Sequence, residues 1–301
     1  MPNALTHYVF AEDVLSSLPD KIRSLVEGRE KLYYFASMGG DVLYGLNFSS
    51  DKVKRGYGDV VHSVKVRESF EEALNKELSE DNLAFLLGFI THYALDSVMH
   101  PYIFYAQKTK VAPHVGEGWQ NNTHMLVETE LDAYYAMKRF GDPYYKSTRL
   151  FSWGRDVKDA TYNFYNHTVK ESLDLEVSRG DASLAVTAWR LFTYLLHKGS
   201  AAKKLISNLA EKILSSPHLF TAGYRQYPLP KEWDVLNEKR TPFPTTTDGD
   251  GTSLSEETVA ELYDKALKKA VLYVTTFFEA KENGDTSLDI DFSLNYDGRI
   301  I

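Results

Sequence analysis

A chain of 301 residues with 43% hydrophobic and 25% charged side chains has the composition of an ordinary globular protein with a sizeable core. It contains no cysteine, which excludes disulfides, iron–sulfur clusters and thiolate-bound zinc and leaves nitrogen and oxygen ligands for any transition metal. A net charge of -8 argues against holding nucleic acid by bulk electrostatics, so a nucleic-acid partner is not expected.

From the N-terminus, Met1 to His7 has neither a basic leader nor an apolar run, and a cytoplasmic location is the expectation. Apolar residues at helical spacing predict a helix over 8–26, interrupted at Pro19, and a shorter one over 31–37. Gly39-Gly40 then breaks the pattern, which puts Asp41 at a turn where glycine permits close backbone approach. Residues 52–61 read as a polar loop from which His62 emerges, ahead of a helix over 66–78.

The longest helix is predicted over 81–106, with Asp81 as its N-cap. No window reaches the roughly 18 consecutive apolar residues of a membrane span, so any lipid contact would be peripheral. A loop over 108–122 and helices over 123–139, 156–175, 183–214 and 255–282 follow. Between the last two, about 217–254, five prolines and the Asp248–Gly251 run predict a long irregular connection. The polar tail after Asn283 is expected to pack irregularly along the surface. The whole reads as one all-α domain, residues 1–301.

The 81–106 helix poses a burial problem. His92, Asp96 and His100 stand four residues apart in an otherwise apolar stretch, and such steps line one face of a helix. Burying these groups without partners would cost several kcal/mol. His124 and Glu128 repeat the spacing downstream, and His7, Asp41 and His62 stand upstream. A lone inward histidine is more often a hydrogen-bonded core residue; five histidines with three carboxylates point to a metal site. His92 and His100 lie about 12 Å apart along the axis and cannot share one ion whose bonds are about 2 Å. At least two metals are therefore expected, with Asp96 placed to bridge. Carboxylate-bridged di-iron bundles use Glu-x-x-His spacing and more carboxylates, so zinc fits better.

At these residues the chain resembles the bacterial zinc-dependent phospholipase C family, which shares a superfamily with single-strand zinc nucleases. The resemblance rests on the ordered set Thr6-His7-Tyr8, Gly39-Gly40-Asp41, His62, His92-Tyr93-Ala94-Leu95-Asp96, His100 and His124-Met125-Leu126-Val127-Glu128. It implies an all-α fold and three zinc ions. Asp41, His62, His92 and Asp96 would hold one; His100, His124 and Glu128 a second; His7 and Asp96, with the N-terminal amine and carbonyl, the third. It also implies hydrolysis of phosphate esters by metal-bound hydroxide, with Asp41 as general base and a phospholipid or soluble phosphodiester as substrate. Two departures stand out: Asp96 and His100 are four residues apart where the secreted members have six, and Met1 or Pro2 stands where those members present a tryptophan N-terminus. A nuclease-like phosphodiesterase and a non-catalytic, metal-stabilised interaction protein are the alternatives.

Overall fold

The computed structural model describes residues 4–301 apart from 117–118, 120–121, 196, 216, 226, 228–229 and 250–251. Twelve helices can be followed in chain order among the described residues. They are α1 Ala4–Ser17, α2 Asp20–Val26, α3 Glu30–Ala36, α4 Tyr57–Ser63, α5 Val66–Asn75 and α6 Glu80–Ala106. After these come α7 Thr123–Phe140, α8 Arg155–Asn163, α9 Lys170–Leu173, α10 Arg179–Leu195, α11 Ala201–Ile213 and α12 Val259–Asn283. The only sheet among the described residues pairs two two-residue strands, β1 Phe243–Pro244 and β2 Leu254–Ser255, in antiparallel register.

The axis of the fold is α6, apolar on every side and buried from Ala84 to Ser97 and again over 99–103. Length and composition would let the continuous helix over 80–114 cross a membrane, but 89% of its most apolar stretch lies inside the protein, so it serves as a core helix. Helices α1, α3, α7, α8 and α12 surround it. Gly88 is where α3 comes closest: a Cβ there would stand 2.1 Å from the Tyr33 carbonyl oxygen, so only glycine permits the contact. Opposite, α12 begins with a capping box in which Thr258 accepts from the Glu261 amide while Glu261 accepts from the Thr258 amide.

Several boundaries differ from the sequence reading for identifiable reasons. Ser79, not Asp81, caps α6 by accepting from the Asn82 amide, which leaves Glu80 and Asp81 to complement the helix dipole from the first turn. The helix also runs on through a π turn at Gln107–Val111 where a loop was expected. The 156–175 pattern breaks at a π turn over Phe164–Thr168, and the 183–214 pattern breaks between α10 and α11, where Ser200 caps the second helix. His62 arrives on α4 rather than from a loop.

The irregular segment is anchored rather than loose. Tyr102 donates to the Val235 carbonyl at 2.7 Å, and buried Lys110 pairs with Asp234 at 2.7 Å. The tail after α12 likewise does not lie on the surface: Leu288, Ile290, Phe292 and Tyr296 are buried, and Tyr93 donates to the Leu294 carbonyl at 2.7 Å. Alternating apolar residues in a polar context are a weak signal of such a seam, which explains why the sequence suggested a surface path.

Candidate metal centre

Each proposed ligand is held by its own local device. Asp132 of α7 accepts from the Thr6 amide and hydroxyl, both at 2.8 Å, and from the Arg225 guanidinium at 3.0 Å. This buried carboxylate caps the first turn of α1 and fixes how His7 enters the core. The Gly39-Gly40 pair follows α3 with Gly39 at φ +50°. A Cβ on Gly39 would stand 2.0 Å from His92 Cδ2 and one on Gly40 2.8 Å from His62 Cε1. Glycine is required at both so that the 3₁₀ segment Gly39–Phe48 can bring Asp41 against the histidines.

The first cluster joins five buried side chains from four elements. His92 and Asp96, one turn apart on α6, approach at 3.1 Å through Nε2 and Oδ2. His7 Nε2 stands 3.2 Å from the other oxygen of Asp96, so this carboxylate faces two sides at once. His62 Nε2 lies 3.3 Å from Asp41 Oδ1, 3.9 Å from Asp96 Oδ2 and 3.4 Å from His92 Nε2. Two overlapping ligand groups result: His7 with Asp41 and His92, and His62 with His92 and Asp96.

The second cluster comes from two helices. His100 on α6 and His124 on α7 converge on the same oxygen of Glu128, at 3.4 and 3.1 Å. Each of these imidazoles is oriented from behind. The Nδ1–H of His100 donates to the Tyr296 carbonyl at 2.6 Å, and that of His124 to the Gln107 side-chain oxygen at 3.0 Å. His62 does the same with the Gly58 carbonyl at 2.7 Å. Donation through Nδ1 fixes the tautomer whose Nε2 lone pair points into the centre, as metal-ligating histidines require.

The electrostatics suit a cation. Burial pushes the Asp41 carboxyl up, but the His62 hydrogen bond and the positive charge around it, His92 included, hold it at about 2. Burial likewise opposes ionisation of Asp96, and the histidines His92, His100 and His7 overcome it and keep Asp96 well below the usual carboxylate range. Glu128 is held far down as well. Burial drives His92 down to about 3, so it stays a neutral ligand. Without an ion His100 goes the other way, to about 10, because Asp96 and Glu128 outweigh its burial, so a proton on its Nε2 takes the place that a cation would fill.

The residues fit a bound metal on a further ground. His7 is 1% exposed, yet neither of its ring nitrogens has an aligned hydrogen-bond partner among the described residues, and His92 Nδ1 also lacks one. Unsatisfied buried nitrogens are costly, whereas a cation among three or four nitrogen and oxygen donors would satisfy His7 directly. The expected contribution of the N-terminal amine falls outside the described residues.

Both clusters open onto one cleft of about 380 Å³. Asp41 and His62 line it from the first cluster, and His100, His124 and Glu128 from the second. Tyr44, Asp59, Phe104, Asn122 and Asp297 are among the residues that wall it, and Tyr44 donates to Asp59 at 3.0 Å.

Sequence reasoning missed the supporting groups. Backbone carbonyls such as those of Gly58 and Tyr296 carry no residue-type signal. Gln107 did carry one, lying seven residues beyond His100 and hence on the same helix face. Of the other four histidines, His114 stacks on Trp233 and His218 on Trp119, His197 donates to the Tyr194 carbonyl and His167 packs edge-on against Tyr162.

A family model described as zinc dependent phospholipase C matches residues 6–191. Neither the curated proteins nor the solved structures offer a match to the chain. The matched span runs past His7 at one end and Glu128 at the other and covers well over half of the sequence. With that coverage, and with buried histidine–carboxylate groups able to hold metal, the chain belongs to the zinc-dependent phospholipase C family.

Proposed function

We propose that the protein is a zinc-dependent hydrolase of phosphate esters, working on phosphodiester substrates of the phospholipid type. The observation that carries this reading is the meeting of both ligand clusters on one open cleft. A purely structural zinc site is closed by its ligands, whereas a cleft leaves room for substrate and water. In this reading Asp41, His62, His92 and Asp96 hold one ion, and His100, His124 and Glu128 a second. His7 and Asp96, with the N-terminal amine, hold a third.

Zinc in such a centre supplies Lewis-acid polarisation of a phosphoryl oxygen and eases deprotonation of water near neutral pH. The side chains do the rest. Asp41, ionised and on the cleft wall, orients the attacking water and takes its proton. Asp96 holds His7 and His92 in one arrangement through its two oxygens, and Glu128 does so for His100 and His124. Three carboxylates against two or three divalent ions leave the centre net positive, which favours an anionic ester.

The cleft also bears on substrate class. Asp59 and Asp297 on its walls oppose a polyanionic strand, so a nuclease role is disfavoured, while Asp59, Asp297, Tyr44 and Phe104 suit a headgroup with positive charge beside its phosphate. The test is elemental analysis of the purified protein followed by a panel of phosphodiesters with and without chelator. Two to three zinc ions per chain and chelator-sensitive hydrolysis of a choline phosphodiester are expected. Less than one tightly bound ion per chain would overturn the reading, and full metal without hydrolysis of any ester would assign the centre a non-catalytic role.

A further inference from the structure

Helix α11 is amphipathic but turned inside out. Leu205, Ile206, Leu209 and Ile213 fall within about 100° of arc on one face, and they are 71, 68, 61 and 75% exposed. The opposite face, which docks onto the protein, is the polar one. Ser207 hydrogen-bonds the Tyr224 hydroxyl at 2.6 Å, and buried Glu211 accepts from the Phe220 and Thr221 amides at 2.8 and 2.7 Å. Those bonds fix the orientation and leave the aliphatic stripe in water. The stripe extends toward exposed Tyr194 and Leu195 at the end of α10, joined by Lys203, which donates to the Leu195 carbonyl and lies over the Tyr194 ring. Scattered apolar residues are normal on a surface, but a contiguous aliphatic face on one helix marks an interaction site.

Charge selects the occupant. In a chain of net charge -8, this segment carries Lys198, Lys203, Lys204 and Lys212 against one acid, Glu211, whose carboxylate is turned inward. Of these, Lys203 and Lys212 border the apolar stripe on its two sides, and an apolar stripe bordered by lysines is the pattern of a helix that lies in the surface of an anionic bilayer. Position agrees. Just beyond the C-terminal end of α11, the Pro217 carbonyl accepts from Asn122, a residue of the catalytic cleft wall, at 2.8 Å. We infer that α11 is an interfacial docking helix that seats the protein on an anionic lipid surface with the cleft mouth nearby; the choice of a lipid occupant rests on the function proposed above.

The test uses the full zinc-loaded chain and separates binding from turnover. Sedimentation with vesicles of phosphatidylcholine plus phosphatidylglycerol should show binding that weakens with salt and falls on vesicles of phosphatidylcholine alone. Leu205→Glu/Leu209→Glu should lower binding at least about tenfold with an unchanged circular dichroism spectrum and unchanged turnover of a short soluble phosphodiester. Lys203→Glu/Lys212→Glu should reduce binding to the anionic vesicles and weaken its salt dependence. Equal vesicle binding by wild type and Leu205→Glu/Leu209→Glu would overturn the inference. So would a self-associated wild type that this variant disperses and that ignores vesicles, or hydrolysis of the soluble ester without any vesicle binding; this last leaves the proposed function standing. Vesicle binding through α11 without hydrolysis of any ester supports the docking helix and removes the function.

Discussion

The two halves of the candidate metal centre are built on different plans. The His100–His124–Glu128 cluster needs only α6 and α7, and both of its imidazoles are braced through Nδ1. The His7–Asp41–His62–His92–Asp96 cluster draws on α1, the 3₁₀ segment, α4 and α6, and two of its three histidines have no brace at Nδ1 among the described residues. The first kind of site is preorganised and keeps its geometry before the ion arrives; the second is assembled by tertiary packing and gains more from the ion itself. One cluster is therefore expected to hold its metal through bracing, the other through convergence.

Asp41→Asn separates chemistry from convergence most sharply. It keeps the side-chain shape but removes the basic oxygen, so turnover should fall about 100- to 10,000-fold while most of the metal remains; unchanged kcat would remove Asp41 from the mechanism. Gly39→Ala attacks convergence alone. Its Cβ would collide with His92, and the native φ is +50°, so about 2–3 kcal/mol of stability should be lost in urea titration. Metal analysis of that variant should show ions missing from the convergent cluster and retained at His100 and His124; loss from both equally would dissolve the contrast.

Bracing is tested by Gln107→Leu. Removing the acceptor behind His124 should weaken the ion at that cluster about 10- to 100-fold, read by chelator competition, with no change at the other. The smallest effect concerns a residue bonded to Ser97, which follows Asp96 on α6. Lys269 of α12 donates to Ser97 at 2.8 Å, and burial lowers it from 10.5 to about 8. Its pKa is lower in the folded state, so between about pH 8 and 10 the unfolded chain carries more protons and stability rises with pH. Above pH 10 the raised Tyr273 reverses the trend, because its phenol ionises first in the unfolded chain. Lys269→Met should add about 1–2 kcal/mol at pH 7 and flatten the rise toward pH 9 in urea denaturation, with zinc content unchanged.

What could be read from the sequence follows the same division. The stripe on α6 and the His124–Glu128 pair are spaced along single helices, so four-residue periodicity exposes them, and the long apolar run identifies α6 as the core. Gly39-Gly40 was legible as a close-approach signal because a paired glycine before an acid has few other uses. His62 reads from sequence as a loop residue because Gly56 and Gly58 break the helical pattern in a segment that tertiary contacts nevertheless fold as α4. The Tyr296 carbonyl, the Asp132 cap over His7 and the inverted face of α11 were not legible. The first two are long-range partnerships, and the third depends on which side of an amphipathic helix meets the protein.

The hydrogen bond from His100 to Tyr296 joins residues 196 positions apart, and His7 enters the neighbouring cluster from the other end of the chain. Closing so long a loop is entropically slow, so contacts of this kind form late, after the local helical pairs. A partly folded chain can thus present the α6–α7 pair of ligands while its His100 ring is still free to rotate. Completion of the candidate site becomes a checkpoint on the fold: its ligands and their braces are all in place only when segments far apart in sequence, His7 and Tyr296 among them, have been gathered onto the central helix.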